Sequence, residues 1–125
     1  MADRPPNILL VLTDDQRFDT IRALGAPAVE TPTLDRLVER GTAFTAAHIP
    51  GGTVPAVCMP SRAMLHTGRT LFHLEESGLA IPAEHTLLGE HLAARGYQTW
   101  GTGKWHNGPA AFNRSFQGGA EIFFG

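Results

Sequence analysis

The spacing of hydrophobic residues predicts two strands in this chain. Residues 8–12 read Ile-Leu-Leu-Val-Leu, an apolar run in which no polar residue alternates. Such a run is typical of a strand that is buried on both faces, as in a parallel sheet covered by helices. Residues 97–100, Tyr-Gln-Thr-Trp, also have a strand-like composition. The first of these strands, with Asn7 and Thr13 at its ends, is followed directly by two aspartates, and the second leads into a Gly-Lys-Trp-His segment.

Two helices are predicted by apolar residues that recur every three or four positions. One runs between Thr31 and Gly41 and the other between Thr86 and Gly96, so that a capping threonine precedes each and a glycine ends each. Residues 107–125 mix glycine and proline with phenylalanine and are expected to be irregular. Strands and helices in alternation predict an α/β fold, with a mostly parallel sheet flanked by helices.

Composition narrows the class of protein further. Hydrophobic residues make up 42% of the 125 residues, charged residues 18%, and the formal net charge is −2. This composition is typical of a globular protein. The small negative net charge supplies no positive electrostatic field of the kind that attracts nucleic acid. No segment is long and apolar enough to span a membrane, and none resembles a secretory signal. The localisation is therefore unknown: the chain as encoded would be cytoplasmic, and a single cysteine leaves the redox compartment open.

The run from Cys58 to Gly68, Cys-Met-Pro-Ser-Arg-Ala-Met-Leu-His-Thr-Gly, contains that cysteine. Pro60 suits the first position of a helix, which would place Cys58 just outside the helix N-terminus, where free N–H groups attract anions. Arg62 would bring a permanently charged donor to the same end. A nucleophile site is one interpretation. A buried cysteine that acts as a small hydrophobic residue is equally compatible with these residues.

Asp14 and Asp15 follow the first predicted strand, at the end where ligands gather in open α/β sheets. Two carboxylates 4 Å apart repel by up to ~4 kcal/mol at an effective dielectric near 20, and a hard divalent cation would remove that cost. A solvated turn or a helix cap is the alternative interpretation of the pair.

Lys104 and His106 are separated by one tryptophan. In an extended segment this spacing points both side chains to one face, where an ammonium and an imidazole could reach the same anion. A surface pair over a packed indole is the alternative.

These three motifs occur along the chain in the order aspartate pair, cysteine run and Gly-Lys-Trp-His segment, and in that order they resemble the sulfatase family. The resemblance covers nearly the whole chain, and it implies an α/β fold of the alkaline-phosphatase-like superfamily. It also implies that Cys58 is oxidised to formylglycine by a formylglycine-generating system and that the hydrated aldehyde attacks the sulfur of a sulfate ester. The motifs that carry it are Cys58-x-Pro60-Ser61-Arg62 with Leu65-x-Thr67-Gly68, the pair Asp14-Asp15, and Gly103-Lys104-Trp105-His106.

The same resemblance implies a role for each candidate residue. Cys58, Arg62, Lys104 and His106 would be catalytic: Lys104 would stabilise developing negative charge, and His106 would orient the hydrate or assist proton transfer. The metal, calcium or magnesium, would be bound by Asp14, Asp15 and Cys58.

Sulfatases are several times longer than 125 residues. Residues 1–125 are therefore expected to be the N-terminal part of a sulfatase catalytic domain, apparently truncated and inactive alone. The expected substrate is a sulfated small molecule or carbohydrate. Two alternatives stay open, a phosphonate or phosphate ester hydrolase of the same superfamily and a non-catalytic fragment.

Overall fold

The protein combines four α-helices with a small parallel sheet in the part of the chain that the computed structural model describes, residues 4–48, 58–74 and 78–125. The chain divides into two compact units, Met1–His48 and Ile49–Gly125. The helices are α1 (Pro32–Arg40), α2 (Cys58–Thr67), α3 (Leu88–Ala93) and α4 (Gly108–Ser115), and the strands are β1 (Trp100–Lys104) and β2 (Gly118–Phe123). Short 3-10 helices lie at Phe18–Thr20, Arg22–Leu24 and Leu71–His73. The predicted α/β class is confirmed.

In the first unit, α1 forms where the leucine spacing predicted a helix. The Thr31 side chain does not cap it; the hydroxyl accepts a hydrogen bond from the Arg22 backbone N–H and lies 2.9 Å from an Asp35 carboxylate oxygen. Asp35 also accepts from the Ala23 N–H at 2.9 Å, so these bonds join the start of α1 to the preceding 3-10 turn. Gly41 ends the helix with φ −115°, an extended rather than a left-handed residue.

The apolar run at residues 8–12 does not form the predicted buried strand. Its five side chains are 43–88% exposed, and no strand of the described ranges pairs with it. An apolar run is buried as a central strand only when neighbouring strands supply hydrogen bonds and helices cover both faces. The apolar sequence of residues 8–12 therefore predicts a buried strand, but the described residues supply neither the neighbouring strands nor the covering helices.

The sheet of the second unit is a parallel β1–β2 pair connected through α4. Trp100 of β1 pairs with Gly118 of β2, and the Trp100 indole lies over Gly118 while remaining 68% exposed. The register shifts after Thr102, where Glu121 takes a left-handed φ of 51°, as in a β-bulge. The predicted irregular segment 107–125 thus contains both a helix and a strand, and that prediction was wrong.

Aromatic packing explains why this segment is ordered. The Trp105 indole is 5.6 Å from the Phe112 ring and 5.5 Å from the Phe116 ring, centroid to centroid, in edge-to-face geometry. Such pairs stabilise beyond the area they bury. The buried core of the unit consists of Ala63, Leu74, Ile81, Leu87, Trp105, Ala111 and Phe112.

A charged cluster holds α4 against α3. The Arg114 guanidinium pairs with Glu90, with Nε 2.9 Å from Oε1, and donates to the His85 carbonyl at 2.7 Å. Glu90 also accepts from the Leu87 N–H at 2.7 Å, at the start of α3. The hydrogen bond from Arg114 lowers the pKa of Glu90. Arg114 is accordingly a structural residue of this unit. None of the helices in the described ranges is long and apolar enough to cross a membrane.

Candidate active site

Helix α2 is described from Cys58 onward. Cys58 is itself a helical residue in this first described turn, whereas the sequence analysis placed it just outside the helix. Pro60 is also in this turn and is fully buried, where its missing N–H leaves no helical hydrogen bond unmade. The half-buried Cys58 side chain is thereby fixed at the helix end that favours negative charge.

The Cys58 thiol meets His106 from the turn after β1. Sγ and the imidazole Nδ1 are 3.2 Å apart, within hydrogen-bonding distance. His106 has a left-handed φ of 78°, which is uncommon for a residue with a side chain. Gly125 packs against the imidazole, because a Cβ at Gly125 would lie 2.4 Å from His106 Cδ2. The sequence motifs at Cys58 and His106, 48 residues apart, therefore meet in space.

Two further hydrogen bonds join α2 to the end of β1. The buried Arg62 donates from Nη1 to the Lys104 carbonyl at 2.6 Å, and Asn107 donates from Nδ2 to the Met59 carbonyl at 3.1 Å. Lys104 is the last residue of β1, which places this contact at the carboxyl end of a parallel strand. Arg62 is thus anchored to the carbonyl of Lys104, two residues before His106.

The expectation that Lys104 and His106 lie in one extended segment was wrong. The strand ends at Lys104 and the left-handed backbone of His106 turns the chain, so a spacing of two no longer fixes a common face. The catalytic role of the Lys104 ammonium stays a prediction.

His66 is a buried residue of this region that the sequence analysis did not identify. It lies on α2 one turn beyond Arg62, is 8% exposed, and its ring centroid is 4.6 Å from that of Trp105. Burial, with a smaller effect of the Arg62 charge, lowers the pKa of His66 to about 4. The imidazole is therefore neutral at pH 7. Its spacing of four from Arg62, and of eight from Cys58, was the available signal for a shared helical face.

Asp14 and Asp15 belong to the first unit, where both are exposed. Asp15 has a left-handed φ of 54°. Within the described ranges, no group of three or more His, Cys, Asp or Glu side chains is placed to hold a metal ion. Two adjacent carboxylates suit a hard cation but supply only part of its oxygen shell. The metal role of Asp14, Asp15 and Cys58 remains a prediction.

Comparison with known proteins gives the context for this geometry. A family model described as Sulfatase matches residues 6–125. The chain belongs to the sulfatase family. Human arylsulfatase A is 39% identical to this sulfatase chain over 113 residues, which cover 84% of the chain and 22% of the human protein. No solved structure matches the chain significantly.

Two other relatives extend the comparison. The N-acetylgalactosamine-6-sulfatase of Sus scrofa is 34% identical over 139 aligned positions, covering 99% of this sulfatase chain and 26% of the pig protein. The ulvan-active sulfatase of Formosa agariphila is 39% identical over 105, covering 81% and 19% respectively. The chain thus spans about a fifth to a quarter of the length of these curated relatives.

The arrangement in this sulfatase chain has a definite chemical capacity. A side chain at position 58 has a proton acceptor or donor within 3.2 Å, at His106 Nδ1. A permanently charged guanidinium is anchored one helical turn further along α2. A thiol, an imidazole and a guanidinium are thereby brought to the carboxyl end of β1.

Proposed function

We propose that this chain contributes the nucleophile-bearing part of a site that hydrolyses sulfuric esters, with Cys58 as the precursor of formylglycine. The observation that carries the proposal is the 3.2 Å contact between Cys58 Sγ and His106 Nδ1 at the start of α2. It is supported by the family match over residues 6–125. Hydrolysis itself is proposed for a longer protein, because the relatives are about four to five times the length of this chain.

Each residue of the site has a role in this proposal. The formylglycine hydrate would supply the oxygen nucleophile that attacks sulfur, while the S–O bond to the ester's alcohol breaks and the alcohol leaves. His106 holds or accepts a proton at Nδ1, the atom that faces position 58. Arg62 and Lys104 provide positive charge for the oxygens on which negative charge develops, and such preorganised groups act strongly where water is excluded.

The proposed substrate is a sulfated small molecule or carbohydrate. The names of the relatives refer to N-acetylgalactosamine 6-sulfate chemistry in the pig protein and to ulvan in the Formosa protein. Sulfate and phosphate esters are both tetrahedral oxyanions. A sulfate ester is preferred over a phosphate or phosphonate ester because the cited relatives are sulfatases.

We also propose that residues 1–125 are the N-terminal part of a sulfatase catalytic domain. The exposed apolar run at residues 8–12 supports this proposal, because it has the pattern of a central strand without the neighbours that would bury it. In the same proposal the isolated chain has little catalytic activity.

The first prediction concerns modification of the cysteine. When the chain is produced together with a formylglycine-generating system, Cys58 is expected to be converted to the aldehyde, because Cys58, Pro60 and Arg62 provide the local signature. Mass spectrometry of the tryptic peptide 41–62 measures the conversion. Cys58→Ala is the matched control, because alanine has no thiol or hydroxyl that could be converted to the aldehyde. An unmodified thiol in the presence of a working system contradicts the assignment of the nucleophile.

The modified chain also tests the expected lack of activity. Hydrolysis of a chromogenic aryl sulfate should be undetectable, because losing even one preorganised donor can cost ~3–4 kcal/mol of transition-state stabilisation. Robust turnover by the parent that vanishes in Arg62→Ala and Lys104→Ala would show a self-sufficient site.

The second prediction concerns the metal, for which we propose Asp14, Asp15 and the modified Cys58 as ligands of calcium or magnesium. Calcium requires six to eight oxygen ligands, and two carboxylates supply only part of that shell. Calorimetric titration of this chain with calcium should therefore show a Kd on the order of millimolar or weaker. Tight saturable binding that persists in the double variant Asp14→Ala, Asp15→Ala would place the site elsewhere.

A further inference from the structure

The backbone at His106 is held in an unfavourable conformation from both sides. A left-handed φ is unfavourable in a residue with a Cβ, so it persists only where neighbouring contacts fix it. On one side, the Trp105 N–H donates to the Phe123 carbonyl at 2.8 Å, and the indole N–H donates to the Gly108 carbonyl at 2.8 Å. These bonds fix the chain before His106 but do not reach α2.

Asn107 fixes the chain on the other side and does reach α2. Its side chain is 6% exposed, and Nδ2 donates to the Met59 carbonyl at 3.1 Å. Met59 follows Cys58 directly, and Asn107 follows His106 directly. The Asn107–Met59 bond therefore runs beside the Cys58–His106 contact and connects the same two backbone segments.

The other end of the amide argues against a purely structural role for Asn107. Its buried Oδ1 has no hydrogen-bond partner among the described residues. A buried unpartnered carbonyl destabilises a folded protein, and an apolar residue of the same shape would avoid that cost. Leucine would avoid the cost of the unpartnered carbonyl but could not donate a hydrogen bond to Met59. We therefore look for the role of Asn107 in that hydrogen bond.

We propose that Asn107 is a positioning residue that sets the distance between position 58 and the His106 imidazole. Its importance for sulfate ester hydrolysis rests on the proposed function. The positioning itself does not, because it acts on the unmodified thiol as well.

The experiment measures the rate at which iodoacetamide alkylates Cys58 in the unmodified full chain, at one fixed pH. Cys58 is the only cysteine of the sequence, so the rate reports this thiol alone. The His106 Nδ1 lies 3.2 Å from the reacting sulfur, close enough to accept the thiol proton while the sulfur is alkylated, so displacing the imidazole should slow the reaction. Asn107→Leu is expected to slow alkylation about fivefold, the size of a typical net hydrogen bond expressed as a rate ratio.

The decisive comparison repeats the substitution in a His106→Ala background. If Asn107 acts by positioning His106, Asn107→Leu should change the rate less than about twofold there, since the two effects are coupled. An equal change in both backgrounds, or no change in either, would overturn the proposal. Circular dichroism checks that each variant is folded, and Asn107→Ser, too short to reach Met59, replaces Asn107→Leu if that variant is not. Because the measurement needs no formylglycine, failure of Cys58 conversion would leave its outcome unaffected.

Discussion

Replacing Gly89 with alanine is expected to destabilise the unit Ile49–Gly125 by more than about 3 kcal/mol. Gly89 is buried in α3, and a Cβ at this position would lie 1.9 Å from the Ser115 carbonyl oxygen and 2.6 Å from the carbonyl carbon. These are backbone atoms of α4, which cannot move aside as a flexible side chain would. On helix propensity alone alanine would stabilise α3 by about 1 kcal/mol, so the clash must reverse the sign.

Chemical denaturation followed by circular dichroism measures this effect, and Gly68→Ala is the matched control. Gly68 has a left-handed φ of 66° but nothing within 4 Å of its missing Cβ, so alanine there meets strain without a clash. We expect Gly68→Ala to cost about 1 kcal/mol. If Gly89→Ala is no more destabilising than Gly68→Ala, the close approach of α3 and α4 is wrong.

Acidification from pH 6.5 to pH 4 is expected to remove about 3 kcal/mol of stability through His66, at about 1.4 kcal/mol per pKa unit. In the unfolded chain this imidazole takes up a proton near 6.5, whereas burial against Trp105 and the nearby Arg62 charge lower its folded pKa to about 4. Between these values the unfolded state binds more protons. The free energy of unfolding that depends on neutral His66 is therefore fully present above pH 6.5 and is lost as the pH falls toward 4.

Thermal unfolding at several pH values measures this loss. His66→Leu should make the melting temperature less sensitive to pH in this window, because leucine is neutral throughout. His73→Leu is the matched control, since it removes an exposed histidine from the same unit. Identical pH dependence in the parent and in His66→Leu would show that His66 is not buried as a neutral imidazole.

The fold was predictable where local patterns decide the structure. Helix α1 follows from leucine spacing and occurs at the predicted position, whereas the strand predicted at residues 97–100 shares only Trp100 with β1, which runs on to Lys104. Residues 107–125 were misjudged because glycine and proline were interpreted as breakers. Pro109 instead lies in the first turn of α4, and Phe112 and Phe116 pack on Trp105 from a distance that no local window includes.

The candidate site was predictable as a set of residue types but not as a geometry. The motifs identified Cys58, Arg62 and His106, which the fold brings together at the end of β1. They could not identify Asn107, since its hydrogen bond to Met59 depends on the left-handed turn at His106. The metal role of Asp14 and Asp15 and the catalytic role of Lys104 stay predictions.

The two tryptophans have opposite surroundings, and this gives the chain a pair of intrinsic optical reporters. Trp105 is 4% exposed and borders His106, whereas Trp100 is 68% exposed on the same strand-and-turn segment. An aqueous quencher such as iodide therefore reaches the Trp100 indole and spares Trp105. The shielded, blue-shifted part of the fluorescence emission belongs to Trp105, which is next to His106 in the sequence. Changes at position 58 can therefore be followed by intrinsic tryptophan fluorescence without attaching a dye.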